Sequence, residues 1–325
     1  MAALHVGVIG AGNIAQFHLP VLKALPAVET ITLCDENTAT LNETGDRFHI
    51  ASRSTSHREL LENNPPDAFF VLVSVLAVAE VTADCLKARI PTFLEKPPGL
   101  YSVDTQRLAS IAAENNCLSM VGLNRRFYST LSKAREWLME AGGSEDSGGV
   151  VSVTVDAHED IDRIWQRGKQ PEEVARRWSY ANGIHALDLL RFFGGDVAHV
   201  QAIQKTYDNP MPDSYSAIVE FENGAVGRAL MDWSAPGAHR VEVRGRGITL
   251  TTDTAYQRIV IQRRGEEPVT LTFSEIDNQH KPGFYRQDEY FLSCVQQKKS
   301  PEFPAVTLGD SVKTMKLIDA ITGMS

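Results

Sequence analysis

The chain has 325 residues, 43% of them hydrophobic and 22% charged, with a formal net charge of −9 at pH 7. That length predicts two domains, each able to bury a core, and the ordinary globular composition excludes extensive disorder. The acidic balance excludes phosphate-backbone binding as the main activity, and Cys34, Cys85, Cys117 and Cys294 lack the spacing of a disulfide framework or a metal site, so no metal is expected.

The start, MAALHVGVIG, has no basic n-region, so a signal peptide is not expected. The first strand, His5 to Ile9, runs directly into Gly10-Ala11-Gly12-Asn13-Ile14-Ala15, and a helix is predicted over Ile14 to Leu25, kinked or ended early by Pro20. This is the G-x-G-x-x-A dinucleotide fingerprint between a strand and a helix. Gly10 allows the tight turn and Gly12 lets backbone approach a pyrophosphate. Ala15 lets helix and strand pack closely, and the helix start, at Asn13 and Ile14, offers N–H groups to phosphate. A second strand, Thr30 to Cys34, ends on Asp35, 20 residues after Ala15. A carboxylate there accepts bonds from ribose hydroxyls and repels a 2'-phosphate, favouring NAD over NADP; the bland reading is a carboxylate that caps the next turn, with Glu36 beside it.

Helix His57 to Asn63, strand Ala68 to Val75, helix Ala79 to Arg89, strand Thr92 to Leu94, helix Thr105 to Asn115 and strand Leu118 to Val121 complete a βαβ series, which predicts a parallel sheet. The apolar run Ala68 to Ala79 is too short to span a bilayer, and a cytoplasmic location is expected. Glu95-Lys96-Pro97 falls at the carboxyl end of the Thr92 strand, where open α/β sheets bind ligands. A lysine there can orient a hydroxyl and stabilise developing alkoxide charge, or simply be a solvated side chain at a strand end.

After Gly142 the segment GGSEDSGG reads as a loop, and alternating strand patterns follow: Val150 to Ala157, Val197 to Lys205, Tyr215 to Phe221, Ala225 to Trp233, His239 to Gly245, Ile248 to Thr252 and Arg258 to Gln262. Asn223-Gly224 is a hairpin turn signal. Helices Gly183 to Phe193, Arg286 to Gln297 and Gly309 to Ile321 are expected to cover one face of this second sheet, leaving the other for a partner subunit. The fold class expected is α/β. Residues 1–125 form a Rossmann parallel sheet. Residues 126–325 form a substrate and oligomerisation domain on a large, open, mostly antiparallel sheet, whose C-terminal helix is free to pack back on the first domain.

The fingerprint Gly10 to Ala15, Glu95-Lys96-Pro97, the run Val121 to Phe127 (V-G-L-N-R-R-F) and Gly183 to Asp188 (G-I-H-A-L-D) together resemble the glucose-fructose oxidoreductase / inositol dehydrogenase (Gfo/Idh/MocA) family over most of the chain. The resemblance implies the Rossmann-plus-open-sheet fold, an NAD cofactor and a homodimer or homotetramer built through the second sheet. It also implies an acid/base or substrate-contacting role for Lys96 and a proton-transferring or hydroxyl-binding role for His185. On helical spacing Asp188 lies three residues from His185 and can orient it, although a histidine capping that helix is the bland reading.

One departure matters. Many dehydrogenases of the family carry an aspartate four residues before the histidine; this chain has Ala181 there, and Asn182 cannot act as a base. Either His185 works alone or another carboxylate substitutes, from Asp156, Glu159 or Asp160. A second departure is Ser74-Val75-Leu76, where relatives carry a Thr-Pro pair. Arg125, Arg126, Asn182, Asp188, His158, Asp160, Arg163, Trp165 and Tyr180 form the pool of substrate-binding candidates, with Trp165 and Trp178 able to stack on a sugar or to anchor loops. Gly10, Gly12, Asn13, Ile14, Asp35, Ser74, Glu95 and Lys96 are the cofactor-binding set. The expected activity is hydride transfer between nicotinamide and a hydroxyl-bearing carbon of a sugar, polyol or sugar derivative. A redox-neutral NAD-dependent lyase or glycosidase and a non-catalytic NAD-binding regulator are the alternatives.

Overall fold

The computed structural model describes residues 3–142, 149–161, 170–207, 212–237 and 239–324. The chain divides into two compact units, Met1–Phe127 with Ile276–Val312, and Tyr128–Glu275 with Lys313–Ser325.

In the first unit, β1 (Leu4–Ile9), β2 (Val28–Cys34), β3 (Ser52–Ser54), β4 (Ala68–Val71), β5 (Thr92–Glu95) and β6 (Ser119–Gly122) form a wholly parallel sheet in the order β3-β2-β1-β4-β5-β6. The order reverses between β1 and β4, the switch point at which doubly wound sheets receive ligands. β4, β5 and β6 are buried at every position. Helices cover both faces of such a sheet, which is why β4, Ala-Phe-Phe-Val, reads as an unbroken apolar run.

Helix α1 (Ala15–Ala24) continues past Pro20 instead of stopping at it. Leu19, Val21 and Leu22 are fully buried, and that packing outweighs the backbone bond that proline forfeits. The predicted strand Ala68 to Val75 ends at Val71; the Leu72 N–H still donates to the Ile9 carbonyl at 2.7 Å before the chain turns away. Helix α2 (Thr38–Arg47) was not anticipated, since it buries little apolar surface, through Leu41. The Phe284–Gln297 helix, expected over the second sheet, instead lies in the first unit. Its Phe284 and Phe291 enter the core beside Phe70 and Phe93, whose rings stack at 4.8 Å.

The second unit is built on an eight-stranded sheet. Its strands are β7 (Val150–His158), β8 (Val197–Lys205), β9 (Ser214–Phe221), β10 (Val226–Asp232), β11 (His239–Gly245), β12 (Ile248–Thr252), β13 (Arg258–Arg263) and β14 (Val269–Thr272), in the order β14-β13-β12-β11-β7-β10-β9-β8. Pairing is antiparallel except between β7 and β10. The Asn223-Gly224 hairpin forms as expected, with Gly224 at φ +83°. The Ile184–Gly194 helix is buried along its whole length against one face. Gly194 and Gly227 admit it, because a Cβ at Gly194 would lie 2.3 Å from the Phe221 ring and one at Gly227 3.0 Å from Leu190. On the other face β9 alternates buried Tyr215, Ala217 and Val219 with exposed Ser216, Ile218 and Glu220.

Candidate functional site

The glycine loop of the first unit is shaped for close approach. The Gly10 N–H donates to the Cys34 carbonyl at 2.8 Å, φ is +103°, and a Cβ there would lie 2.6 Å from the Leu72 carbonyl, so no larger residue fits. A Cβ at Gly12 would meet nothing within 4 Å, which leaves its backbone open to a ligand. Ile14 starts α1 with no side-chain cap, so the helix N-terminus presents its amides and positive dipole end outward.

Asp35 closes this loop. Its Oδ2 accepts from the Ala11 N–H at 2.8 Å and its Oδ1 from the Asn37 N–H at 2.8 Å, fixing the carboxylate at the end of β2. Gly10, Gly12, Asp35, Glu36, Arg58 and Ser74 line one cavity of about 480 Å³ at the switch point. Asn13 and Ile14 belong to the same turn but do not line the cavity. Glycines open to close approach, a free helix start and an acidic side chain one strand away suit a dinucleotide's pyrophosphate and ribose. Arg58 was not anticipated, because it sits well downstream of the fingerprint; its Nε lies 3.1 Å from Asp84 Oδ2.

Glu95, buried at the end of β5, is tied from behind. His18 Nε2 lies 3.2 Å from Glu95 Oε1, His18 Nδ1 lies 2.7 Å from Asp288 Oδ2, and the Lys96 N–H donates to Glu95 Oε2 at 3.2 Å. Burial opposes charge on His18, but Asp288 and then Glu95 override it and push its pKa up to about 9. His18 therefore keeps its proton between two carboxylates. Nearby, the Lys281 ammonium lies 4.4 Å from the Phe17 ring centre, and burial lowers its pKa. The Lys96 side chain is half-buried beside the anchored Glu95. Neither His18 nor Asp288 carries a sequence signal for this pairing.

Arg125 and Arg126 lie in the short 3₁₀ turn Asn124–Phe127. Arg126 is buried, 3.5 Å from Asp310 and packed over the Phe303 ring, so its guanidinium is engaged within the unit, whereas Arg125 is half-buried.

In the second unit the β7–β10 pairing runs past His158, with the Glu159 N–H donating to the Asp232 carbonyl at 2.9 Å and Asp160 bridging to Ser234. Glu159 thereby turns toward the π-helical turn Ser179–Gly183. Its carboxylate accepts from Asn182 Nδ2 at 2.6 Å and Trp178 Nε1 at 3.0 Å, and His239 Nε2 lies 2.6 Å from it. Burial opposes ionisation of Glu159, yet His239 foremost, with Trp178 and Asn182, holds its pKa below the usual range. His158 Nδ1 is 2.9 Å from Asp232 Oδ2, but its ring N–H is not aimed at that oxygen.

His185, 9% exposed, sits in the first turn of the Ile184–Gly194 helix. Asp188, buried on the same helix, accepts from Thr314 Oγ1 at 3.0 Å, and Arg191 Nη1 donates to that hydroxyl at 2.9 Å. Tyr180 is a core anchor, not a surface donor: it is fully buried and its hydroxyl donates to Asp319 at 2.6 Å. Trp178 likewise anchors, through Glu159. Arg163 and Trp165 lie outside the described residues. Among the described residues no group of His, Cys, Asp and Glu could hold a metal ion.

Comparison with known proteins bears on both units. A family model described as "Oxidoreductase family, NAD-binding Rossmann fold" (GFO_IDH_MocA) matches residues 4–123, and one described as "GFO/IDH/MocA C-terminal domain" matches residues 139–251. The "Uncharacterized oxidoreductase YrbE" of Bacillus subtilis (strain 168) is 24% identical over 299 residues, 87% of this chain and 81% of that protein. The myo-inositol 2-dehydrogenase of Thermotoga maritima is 28% identical over 133 residues, 41% of this chain and 40% of that one. Among solved structures, an oxidoreductase from Agrobacterium radiobacter in complex with NAD+, L-tartaric acid and magnesium superposes with a TM-score of 0.83 at 19% identity, covering 99% of this chain and 96% of that one.

Proposed function

The chain belongs to the GFO/IDH/MocA oxidoreductase family, and from that membership we propose that it is an NAD-dependent dehydrogenase or reductase acting on a CH–OH carbon of a polyol or sugar-like substrate. The observation that carries this reading is Glu95-Lys96 at the carboxyl end of β5, with Glu95 anchored by His18 so that the following residue is presented at the ligand edge of a dinucleotide-binding sheet. The name of the Thermotoga relative, a dehydrogenase of an inositol, supports the substrate class.

Bound NAD would supply the hydride acceptor. The protein's part is positional. The Gly10–Gly12 loop and the α1 start hold the pyrophosphate, and Asp35 receives the ribose hydroxyls. Asp35 and Glu36 bring negative charge to the cavity and Asp84 engages Arg58, so we assign NAD rather than NADP. Lys96 donates to the reacting oxygen and stabilises its developing charge, and His185 takes or returns the hydroxyl proton. Arg125, Asn182, His158 and Asp160 are the substrate contacts we propose. The open face of the second sheet, with Ile203, Ile218 and Leu230 exposed, is assigned to a second copy of the chain.

Lys96→Ala tests the assignment. With a substrate found from a panel of inositols, anhydrosugars and dihydrodiols, kcat/KM should fall by about 10²-fold or more while NADH affinity changes little. Wild-type turnover in the variant would overturn the role of Lys96. Product formed without NADH accumulation would mark a redox-neutral lyase instead, and NAD binding with no product from any panel member would mark a non-catalytic regulator.

A further inference from the structure

We propose that Asp84 is a positioning residue for the cofactor, holding the Arg58 guanidinium as the platform on which the adenine ring of the dinucleotide stacks. The proposal rests on the reading of the cavity at the switch point as the dinucleotide site.

That cavity has walls of different character. Asp35 and Glu36, at the end of β2, bring negative charge to it. Leu72, Val73, Ala77 and Val81, from the connection after β4 and the Val78–Lys87 helix, give it an apolar side. The connection after β3 adds Arg58, and this connection is pinned along its length. Ser54 Oγ donates to the Ser56 carbonyl at 2.9 Å and accepts from the Ser56 N–H at 3.1 Å, and Ser56 Oγ accepts from the Glu59 N–H at 3.3 Å. The Asp35 N–H donates to the Ser54 carbonyl at 3.2 Å, so the acidic wall and the arginine wall are one hydrogen bond apart.

Asp84 lies on the Val78–Lys87 helix and does not itself line the cavity. Its Oδ2 accepts from Arg58 Nε at 3.1 Å and lies 3.0 Å from His57 Nε2. Burial opposes ionisation of Asp84, but His57 and then Arg58 hold its pKa below the usual carboxylate range, so the anchor is an anion at neutral pH. A bond to Nε fixes the plane of a guanidinium and leaves its faces and terminal nitrogens uncommitted. Among the described residues no other group bonds Arg58, and no aromatic ring covers its face. By contrast, Arg47 and Arg126 of the same unit lie over the Phe48 and Phe303 rings.

A planar cation with an open face, in a cavity that also has an apolar side, suits a flat aromatic heterocycle. Adenine is the part of the dinucleotide joined to the ribose that Asp35 receives. A ribose phosphate, the other group a guanidinium would attract, is repelled by Asp35 and Glu36. The Arg58 side chain is 74% exposed, so its pairing with Asp84 adds little to stability; its consequence is the orientation of the guanidinium.

The test is fluorescence titration of the full chain with NADH and NADPH, with displacement of NADH by ADP-ribose. Arg58→Ala should weaken all three about fivefold, because all three carry adenine. Asp84→Asn keeps the size of the side chain but not its charge, and should reproduce part of the loss at an unchanged melting temperature. The double variant should bind no worse than Arg58→Ala, since Asp84 acts through Arg58. Unchanged NADH affinity in either single variant, a loss confined to NADPH, or losses that add in the double variant would overturn the proposal. Should Asp84→Asn not fold, Asp84→Ser takes its place in the same cycle. Gly10→Ala separates the two readings: undiminished NADH binding there removes the assignment of the cavity, whereas lost binding in folded Gly10→Ala beside wild-type binding in Arg58→Ala removes only the role of Arg58 and Asp84.

Discussion

Asp35 has both carboxylate oxygens engaged by backbone amides, Ala11 on one side and Asn37 on the other, and still lines the cavity at the switch point. Each oxygen keeps a second lone pair for a ribose hydroxyl. Asp35→Ala should therefore weaken NADH binding about tenfold, the worth of a charged hydrogen bond, and raise the relative use of NADPH, since Arg58 lines the same cavity. Fluorescence titration with both cofactors checks this, and equal losses for the two would contradict it. Asp35 was legible in the sequence because its signal is a fixed distance from the fingerprint. Arg58 was not, because only the fold brings the start of α3 (His57–Asn63) to the end of β2.

At the scale of elements, the β1–α1 turn tolerates no side chain at its first glycine. Gly10→Ala combines a left-handed φ with a Cβ driven 2.6 Å from main-chain atoms of Leu72, which cannot swing aside. It should cost roughly 1–3 kcal/mol of stability and abolish detectable NAD binding, both readable from thermal melts with and without cofactor. Short elements bounded by clear turn or capping residues, such as the His57–Asn63 helix and the β11 and β12 strands, were legible nearly to the residue. β3, with the sequence SRS, offered no apolar pattern to read, and the π turn before His185 has none by nature. The Phe284–Gln297 helix was legible as a helix while its partner was not: periodicity reports which face is apolar, not which sheet will cover it.

For the molecule as a whole, the His18 network makes stability depend on pH. His18 titrates near 6.5 in an unfolded chain and at about 9 when folded, so its contribution is complete below about pH 6.5 and is lost as pH rises through about 9. The melting temperature should fall by roughly 5 °C between pH 7 and 9.5, and His18→Gln should flatten that decline. The assembly is testable in parallel. Ile203 and Leu230 both pair with Ser216 across β8, β9 and β10, beside Ile218, giving one apolar strip on the open face. Ile218→Asp should shift sedimentation toward the monomer while leaving the melting temperature within a few degrees.

By itself the sequence determined the parts whose chemistry is local: the strand, glycine turn and helix of the dinucleotide site, Asp35 at its set distance, Lys96 at a strand end and the absence of an acid at Ala181. Spacing along one strand or helix encodes these directly. Only the tertiary structure decided that His18 meets Asp288, 270 residues away, and that Glu159 meets Asn182 and His239. Those pairings depend on which surfaces pack together, and side chains brought close by packing across distant segments leave no periodic trace in the chain.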